Sequence, residues 1–433
     1  MKLKFNKVGD KSKSICVVDN VGGSYLPIAH RLTQHFDCVY YYSVNQNPFP
    51  RMALDMIGTG YNNINRVDEF WKNIDKFDVI CFPDIYFNDW GYMLRKMGKK
   101  VWGGTEAEQL ETDRRLFKSE LQNCGLKVAP TKYIKGVDNL VKELKESQDK
   151  WIKLSYYRGE GETTKHIKWS QSEIMIDNLN YEMGPLAATA DFCLEDHIES
   201  MAEIGCDGWT IDGQFTDGII WGLEVKDCGY VGKASNYSLL PDPIKETNDK
   251  FSQVLQKYEH TGFYSTEVRY GKDGNTYYTD PCVRSGSPPS NVYMKMIDNW
   301  NEIMTKGSKG ELVEPIFNSK YGVEIILKSN YCNNNTLPVM IPQEYKDNVA
   351  LKGAYFMNDK NYIIPFNQAG IKDMEAFGSV VVVGDNLDQI MNKAVKIANS
   401  IEAPGVYFAE NALEKAKDAL NDLEKNTGVK FYE

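Results

Sequence analysis

The chain has no C-x-x-C pair, no G-x-G-x-x-G fingerprint, no internal repeat, no low-complexity tract and no apolar run long enough to span a bilayer. Its nine cysteines (Cys16, Cys38, Cys81, Cys124, Cys193, Cys206, Cys228, Cys282 and Cys332) are odd in number and widely scattered. That pattern argues against a zinc cluster or a disulfide framework and fits reduced thiols in an intracellular chain. Basic charge is also short. Lysine and arginine number 50 against 60 aspartates and glutamates, a net charge of -10. A nucleic acid or an anionic membrane needs a basic face to displace its counterions, so neither is an expected partner. The opening MKLKFNKVGDKSKS carries no apolar signal core, and the expectation is a cytoplasmic protein acting on small molecules. Nothing in the sequence specifies an oligomeric state.

What is present is globular. With 433 residues, 42% hydrophobic and 25% charged, the chain suggests two to four subdomains with sizeable cores. ICVV at 15–18, the turn DNVGGS and the helical pattern YLPIAHRLTQHF form a strand-turn-helix unit. The order returns at 79–82 with a helix at 89–97, and a further strand at 101–102, predicting an open α/β sheet. Gly22-Gly23 reads as the tight turn this geometry needs rather than as a nucleotide loop.

Residues 105–123, TEAEQLETDRRLFKSELQN, read as a surface helix with Thr105 as N-cap and Gly125 as its left-handed stop. A helix near 137–147 follows, then the strand WIKLS, the loop YYRGEGETT and the strand KHIKW. DFCLEDHI is another strand, AEIGCDGWTIDGQF has the content of a hairpin, and GIIWGLEVKDC continues the sheet. After a helix around 244–259, FYSTEVRYG and NTYYTDPCV form a hairpin through KDGN. From about 321 the composition changes to short strands and closing helices near 386–400 and 410–426, as in a separate small α/β unit.

A nucleoside triphosphate site needs cations for phosphates, a polar or glycine-rich flap, a hinge for the purine and oxygen ligands for magnesium. The chain offers candidates in that order. Lys153 sits inside an apolar strand, either snorkelling to water or meeting an anion. Arg158 to Thr164 combines glycines with phosphate donors. Glu195-Asp196-His197-Ile198, with Glu203 beyond, combines a strand end in acids with an apolar hinge. Glu267 and Asp280 lie on consecutive strands whose pairing brings their carboxylates to one side. Arg284 follows, with a planar fork suited to phosphate or carboxylate. The 19–25 turn and the 284–291 loop are candidate acceptor linings, and Cys282 as a nucleophile lacks a histidine base in its local sequence.

In order and spacing these motifs resemble the ATP-grasp superfamily, and within it the glycinamide ribonucleotide synthetase (phosphoribosylamine-glycine ligase) family, from about residue 15 to about 410. The resemblance implies an ATP-grasp fold of α/β and α+β domains. Residues 1–104 would be an N-terminal open α/β (pre-ATP-grasp) domain, 105–320 the ATP-grasp domain with a lid at about 130–198, and 321–433 a small C-terminal α/β domain. It implies that Lys118 and Lys153 contact ATP phosphates, that Glu195, His197 and Ile198 line the adenine pocket, and that Glu203 meets the ribose. Lys226 would lie near the phosphates, with Arg284 facing the reacting groups and Glu267 and Asp280 on magnesium. The implied activity is ATP-dependent ligation of a carboxylate to an amine, with ATP and Mg2+ as cofactors and a divergent acceptor. The alternative is an impaired relative kept for a structural or regulatory role. Two departures bear on this. Asp280 stands where the family usually has glutamate, and Cys282 where it has asparagine; a soft thiol is a poor magnesium ligand. A water in place of the missing oxygen, a single metal, or impaired catalysis are the open consequences.

Overall fold

A computed structural model describes residues 13–44, 53–155, 162–369 and 375–432. Strands β1 (Ser14–Asp19), β2 (Cys38–Ser43), β3 (Ile64–Arg66), β4 (Val79–Cys81) and β5 (Lys100–Trp102) form a parallel sheet of order β3-β2-β1-β4-β5. Side chains alternate across a strand, so Ile15 and Val17 join one core with α1 (Leu26–Leu32), while Cys16 and Val18 join another with α2 (Phe70–Asn73) and α3 (Asn88–Lys96). Both faces are covered, which is why ICVV reads as an unbroken apolar run.

The glycine turn after β1 is closed from within. Asp19 accepts hydrogen bonds from the amides of Val21 (2.8 Å), Gly23 (3.3 Å) and Tyr25 (2.7 Å) and from the Tyr41 hydroxyl (2.9 Å). These amides therefore serve an internal carboxylate. Gly23 has φ +91, and a Cβ there would stand 2.5 Å from the Cα of Gly353. The glycine is required by this close backbone approach.

The expected single helix at 105–123 is instead two, α4 (Glu108–Thr112) and α5 (Arg114–Asn123), each burying a face that carries charged residues. Asp113 separates them with extended backbone, and its side chain caps α5 by accepting from the amides of Arg115 and Leu116. Thr105 makes no side-chain cap. Gly125 does end α5: its amide bonds to the Gln122 carbonyl and that of Leu126 to the Leu121 carbonyl, a Schellman closure.

Next comes an antiparallel sheet of order β6-β9-β7-β8, from β6 (Thr131–Lys135), β7 (Lys150–Leu154), β8 (Thr163–His166) and β9 (Asp191–Asp196). Helices α6 (Val137–Glu146) and α7 (Trp169–Met183) cover it through Leu140, Leu144 and Ile176 against Ile152, Phe192 and Leu194. The strand expected over KHIKW lies earlier, because β8 pairs Thr163 with Lys153 and Trp169 already begins α7. Of the expected phosphate loop, residues 158–161 lie outside the described residues.

The central sheet has eight strands in the order β14-β13-β10-β11-β12-β15-β20-β17. Its members are β10 (Ser200–Thr210), β11 (Gly218–Val225), β12 (Gly229–Asn236), β13 (Gly262–Gly271), β14 (Thr276–Cys282), β15 (Tyr321–Lys328), β17 (Val349–Leu351) and β20 (Ala376–Gly384). A three-stranded sheet is formed by β16 (Leu337–Val339), β18 (Ala354–Met357) and β19 (Lys360–Ile363). Of the stretch expected to be a hairpin at 202–215, residues up to Thr210 belong to one long strand, β10, that pairs along its length with the distant β13 and in part with β11, and only Ile211–Gln214 closes as a tight antiparallel turn. Residues 321–433 supply β15, β17 and β20 to this same sheet, with β12 and β15 paired from Gly229–Ile325 to Lys233–Tyr321. Helices α8 (Asp242–Lys257), α9 (Pro289–Met296), α10 (Trp300–Gly307), α11 (Leu387–Asn399) and α12 (Ala412–Thr427) pack around it. Among the described residues no helix is long and apolar enough to cross a membrane.

Candidate functional site

A cleft of about 520 Å³ opens between the β6–β9 sheet and the central sheet. Lys153 and Trp151 stand two residues apart on β7 and so share a face; both line the cleft. From the opposite wall come Glu203 on β10, Glu224 on β11, Lys226 just beyond it, Glu267 on β13, and Asp280 and Cys282 on β14. Arg284, Glu195 and Ile198 complete the expected residues on the lining. The two others fall differently. Lys118 reaches the cleft only through Glu195, and the exposed His197 ring accepts a hydrogen bond from the Trp151 indole (3.1 Å) without lining it.

The β13–β14 register sets Glu267 directly opposite Asp280, with a bulge after Glu267 that lets Thr279 be passed over. Their side chains take different partners. Asp280 Oδ2 lies 2.8 Å from Lys153 Nζ and its Oδ1 2.8 Å from Arg114 Nη1. Lys153 also meets Glu195 at 3.3 Å, Glu195 meets Lys118 at 2.9 Å, and Arg114 meets Glu162 at 3.6 Å. The result is one chain of alternating charge, Lys118, Glu195, Lys153, Asp280, Arg114, Glu162. Lys118, Arg114, Lys153 and Glu195 have side chains only 5% exposed, so each charge depends on its neighbours for compensation. Although burial works against it, Asp280 and Glu195 hold the Lys153 ammonium above its ordinary pKa.

Glu267 is half-buried, and desolvation first, then Glu203, raises its carboxyl well above the usual range. Against burial, a hydrogen bond with Glu267 and the Arg269 charge hold Glu203 below it. Arg269 lies beside Glu203, its Nε 3.1 Å from one carboxylate oxygen and its Nη2 donating to the other at 3.2 Å. The Arg269 guanidinium lies 5.8 Å from the centroid of the Trp151 ring. Deeper in, burial pushes Glu224 up to about 7 and Asp207 to about 6, the latter accepting from the Tyr230 hydroxyl at 2.5 Å. Burial opposes a raised Lys226, yet Glu224 and Glu267 raise it.

Arg284 is anchored rather than loose. Its Nε lies 2.7 Å from Glu111 Oε1, while Glu111 Oε2 accepts the Val283 amide at 3.0 Å. The Glu111 side chain is 0% exposed, and its charge is the main reason the Arg284 pKa rises. Cys282 Sγ lies 3.5 Å from the Arg284 carbonyl oxygen. Of the candidate acceptor linings, Arg284, Gly286, Ser287 and Pro289 face the cleft, whereas no residue of the 19–25 turn does. Among the described residues no group of three or more His, Cys, Asp or Glu side chains is arranged to hold a metal ion. The opposed Glu267 and Asp280 carboxylates still suit a hard cation whose remaining ligands are phosphate oxygens and water.

Trp151, Arg269, Asp207 and Glu224 on the cleft wall escaped the sequence reading, as did Arg114, which reaches the cleft through Asp280. Arg114 sat in a segment that looked like an exposed helix. Trp151 was legible from its place two residues before Lys153. Arg269, two residues after Glu267 on β13, was legible from strand alternation in the same way.

No protein-family model matches the chain, and no curated protein sequence does. Solved structures do. The chain is similar to the phosphoribosylamine-glycine ligase of Thermotoga maritima, with a TM-score of 0.69 and 15% identity over 92% of this chain and 99% of that one. It is similar to the biotin carboxylase domain of 2-oxoglutarate carboxylase from Hydrogenobacter thermophilus, solved with MgADP, ADP and bicarbonate (TM-score 0.63, 12% identity, 95% and 99% covered). The N5-carboxyaminoimidazole synthetase of Staphylococcus aureus gives 0.55 at 14% identity, over 90% and 98%. These likenesses show the fold, and the chain has the ATP-grasp fold.

Proposed function

We propose that the chain is an ATP-dependent ligase that joins a carboxylate to an amine through an acyl phosphate. The observation that carries the reading is the alternating charge chain at the cleft. It gathers three cations, Lys118, Lys153 and Arg114, on one side of an opening lined by Trp151 and by Glu267 and Asp280. Cations so buried need anions, which Glu195, Asp280 and Glu162 supply in the ligand-free chain and which a triphosphate supplies as a row of oxygens in the proposed complex.

In this reading the nucleotide phosphates take over Lys153 and Arg114 from Asp280, and Trp151 stacks on the base. Glu267 and Asp280 would hold magnesium, which supplies charge neutralisation to the β- and γ-phosphates. An oxygen of the acceptor carboxylate attacks the γ-phosphorus in line, the bond to the ADP oxygen breaks, and the acyl phosphate forms. The amine nitrogen then attacks the acyl carbon, phosphate departs with the bond electrons, and the nitrogen gives up a proton. Lys153, Arg114 and Arg284 stabilise charge on the transferring group, and no covalent enzyme intermediate is needed. The acceptor differs from that of glycinamide ribonucleotide synthetases: DCGYVGKASNYSLLP replaces their glycine-rich substrate loop.

Calorimetric titration with ATP, with and without magnesium, tests the reading before any acceptor is known. Magnesium-dependent binding supports it and justifies screening carboxylate and amine pairs for ADP release. Absence of binding at millimolar ATP overturns it in favour of a scaffold or regulatory relative. The thiol at Cys282 and the double occupation of Asp280 by cations are the observations that favour that second reading.

A further inference from the structure

A second cavity, of about 1,020 Å³, lies outside the cleft and shares no lining residue with it. Its walls are α1, α9, the loop at 60–63 and the segment 343–351. Three cations converge on it from separate elements: Arg31 on α1, Lys295 on α9 and the exposed Lys346. Asp347 is the sole carboxylate among its described lining residues, in a chain whose net charge is -10. Arg31 stands in the last turn of its helix, where the carbonyl ends favour a cation, but that accounts for one of the three.

Burial lowers the Arg31 pKa, and Asp347 and then Asp298 oppose it without pairing directly with the guanidinium. Among the described residues Arg31 donates to the Gln34 side-chain oxygen at 2.6 Å, and Lys295 donates to the carbonyls of Asp347 (2.5 Å) and Val381 (3.1 Å). Among the described residues no ion pair within 4 Å reaches either. Burial, and then the Arg31 charge, pushes the Lys295 ammonium down to about 7; Asp347 opposes this and Lys393 adds to it. Partly desolvated cations that outnumber the one carboxylate among the described lining residues make a site whose electrostatics an anion completes. The volume exceeds that of a bare inorganic ion many times over and falls at the upper end of small-molecule pockets. Asn62 and Asn63 add amide donors and acceptors suited to hydroxyl groups.

We infer that this cavity binds a small organic phosphate, with Arg31, Lys295 and Lys346 around the phosphoryl group and the asparagines on a hydroxylated body. The site is independent of the nucleotide reading. Its test is calorimetry on the full chain with inorganic phosphate and with glycerol 3-phosphate, repeated on Arg31→Gln, Lys346→Gln and Lys153→Ala. Glycerol 3-phosphate is expected to bind more tightly than inorganic phosphate, at least tenfold more weakly to Arg31→Gln than to the parent, and several-fold more weakly to Lys346→Gln. Lys153→Ala should leave it unchanged. If Arg31→Gln does not fold, Lys346→Gln, altered at an exposed side chain, decides the matter. Absence of saturable binding to the parent overturns the inference. So does binding that survives both cavity variants but is lost in Lys153→Ala, since the anion then occupies the cleft.

Discussion

Replacing Asp280 by asparagine separates the two jobs that its carboxylate holds in the proposed reaction. In the ligand-free chain it neutralises Lys153 and Arg114, each at 2.8 Å; with nucleotide bound it would serve magnesium. A unit pair about 4 Å apart at an effective dielectric near 20 is worth about 4 kcal/mol. The Asp280 side chain is 33% exposed, and solvent screening brings such pairs toward about 1 kcal/mol each. Two pairs then amount to about 2 kcal/mol of competition against an incoming phosphate, or about 30-fold in affinity. Asp280→Asn should therefore bind metal-free ATP about 10- to 30-fold more tightly than the parent and lose any gain from magnesium. Folding should survive, because Lys153 keeps Glu195 at 3.3 Å and Arg114 keeps Glu162 at 3.6 Å. Calorimetry in EDTA and in magnesium reads both effects, and the double variant Lys153→Ala/Asp280→Asn should lose the metal-free gain. Metal-free affinity equal to or below that of the parent would refute the idea that Asp280 competes with phosphate.

Other perturbations follow from the same geometry. Arg284→Ala removes the cation beside the fully buried Glu111, and chemical denaturation should show a loss of about 3 kcal/mol, whereas Arg284→Lys should recover part of it. Glu108 accepts the Phe87 and Asn88 amides through one oxygen while the other is buried without a hydrogen-bond partner, and burial pushes its carboxyl up to about 8. Its folded pKa is raised, so its contribution is full below the unfolded value near 4.5 and is lost as pH rises through about 8. The stability of the parent relative to Glu108→Gln should fall across that window, and a flat difference would contradict the assignment. Cys282→Asn puts a hard oxygen where a soft thiol stands, and magnesium-dependent ATP binding should strengthen; unchanged binding would place position 282 outside the metal's reach.

How much of this was legible depends on which physical signal each segment carries. Strands were readable because period-two alternation and β-branched runs report burial directly, and the KDGN turn marked the hairpin that opposes Glu267 to Asp280. The partner of β10 was not readable, since antiparallel pairing with β13, some 60 residues on, leaves no local trace. The instructive failure is 105–123. Its composition is that of a solvated helix, yet Glu108, Glu111, Arg114, Lys118 and Glu120 are all buried. Four of the five are compensated by an opposite charge from far along the chain: Glu111 by Arg284, Arg114 by Asp280, Lys118 by Glu195 and Glu120 by Lys257, while Glu108 meets backbone amides. Hydrophobicity ranks such residues as surface because an isolated charge cannot be buried, and sequence alone does not show which charges will meet. A segment of helix formers whose charges find distant partners is therefore where a buried polar site is hardest to see. Lys118 was reached only through a family resemblance, while Arg114, four residues earlier and one helical turn away, was passed over although it holds the same carboxylate as Lys153.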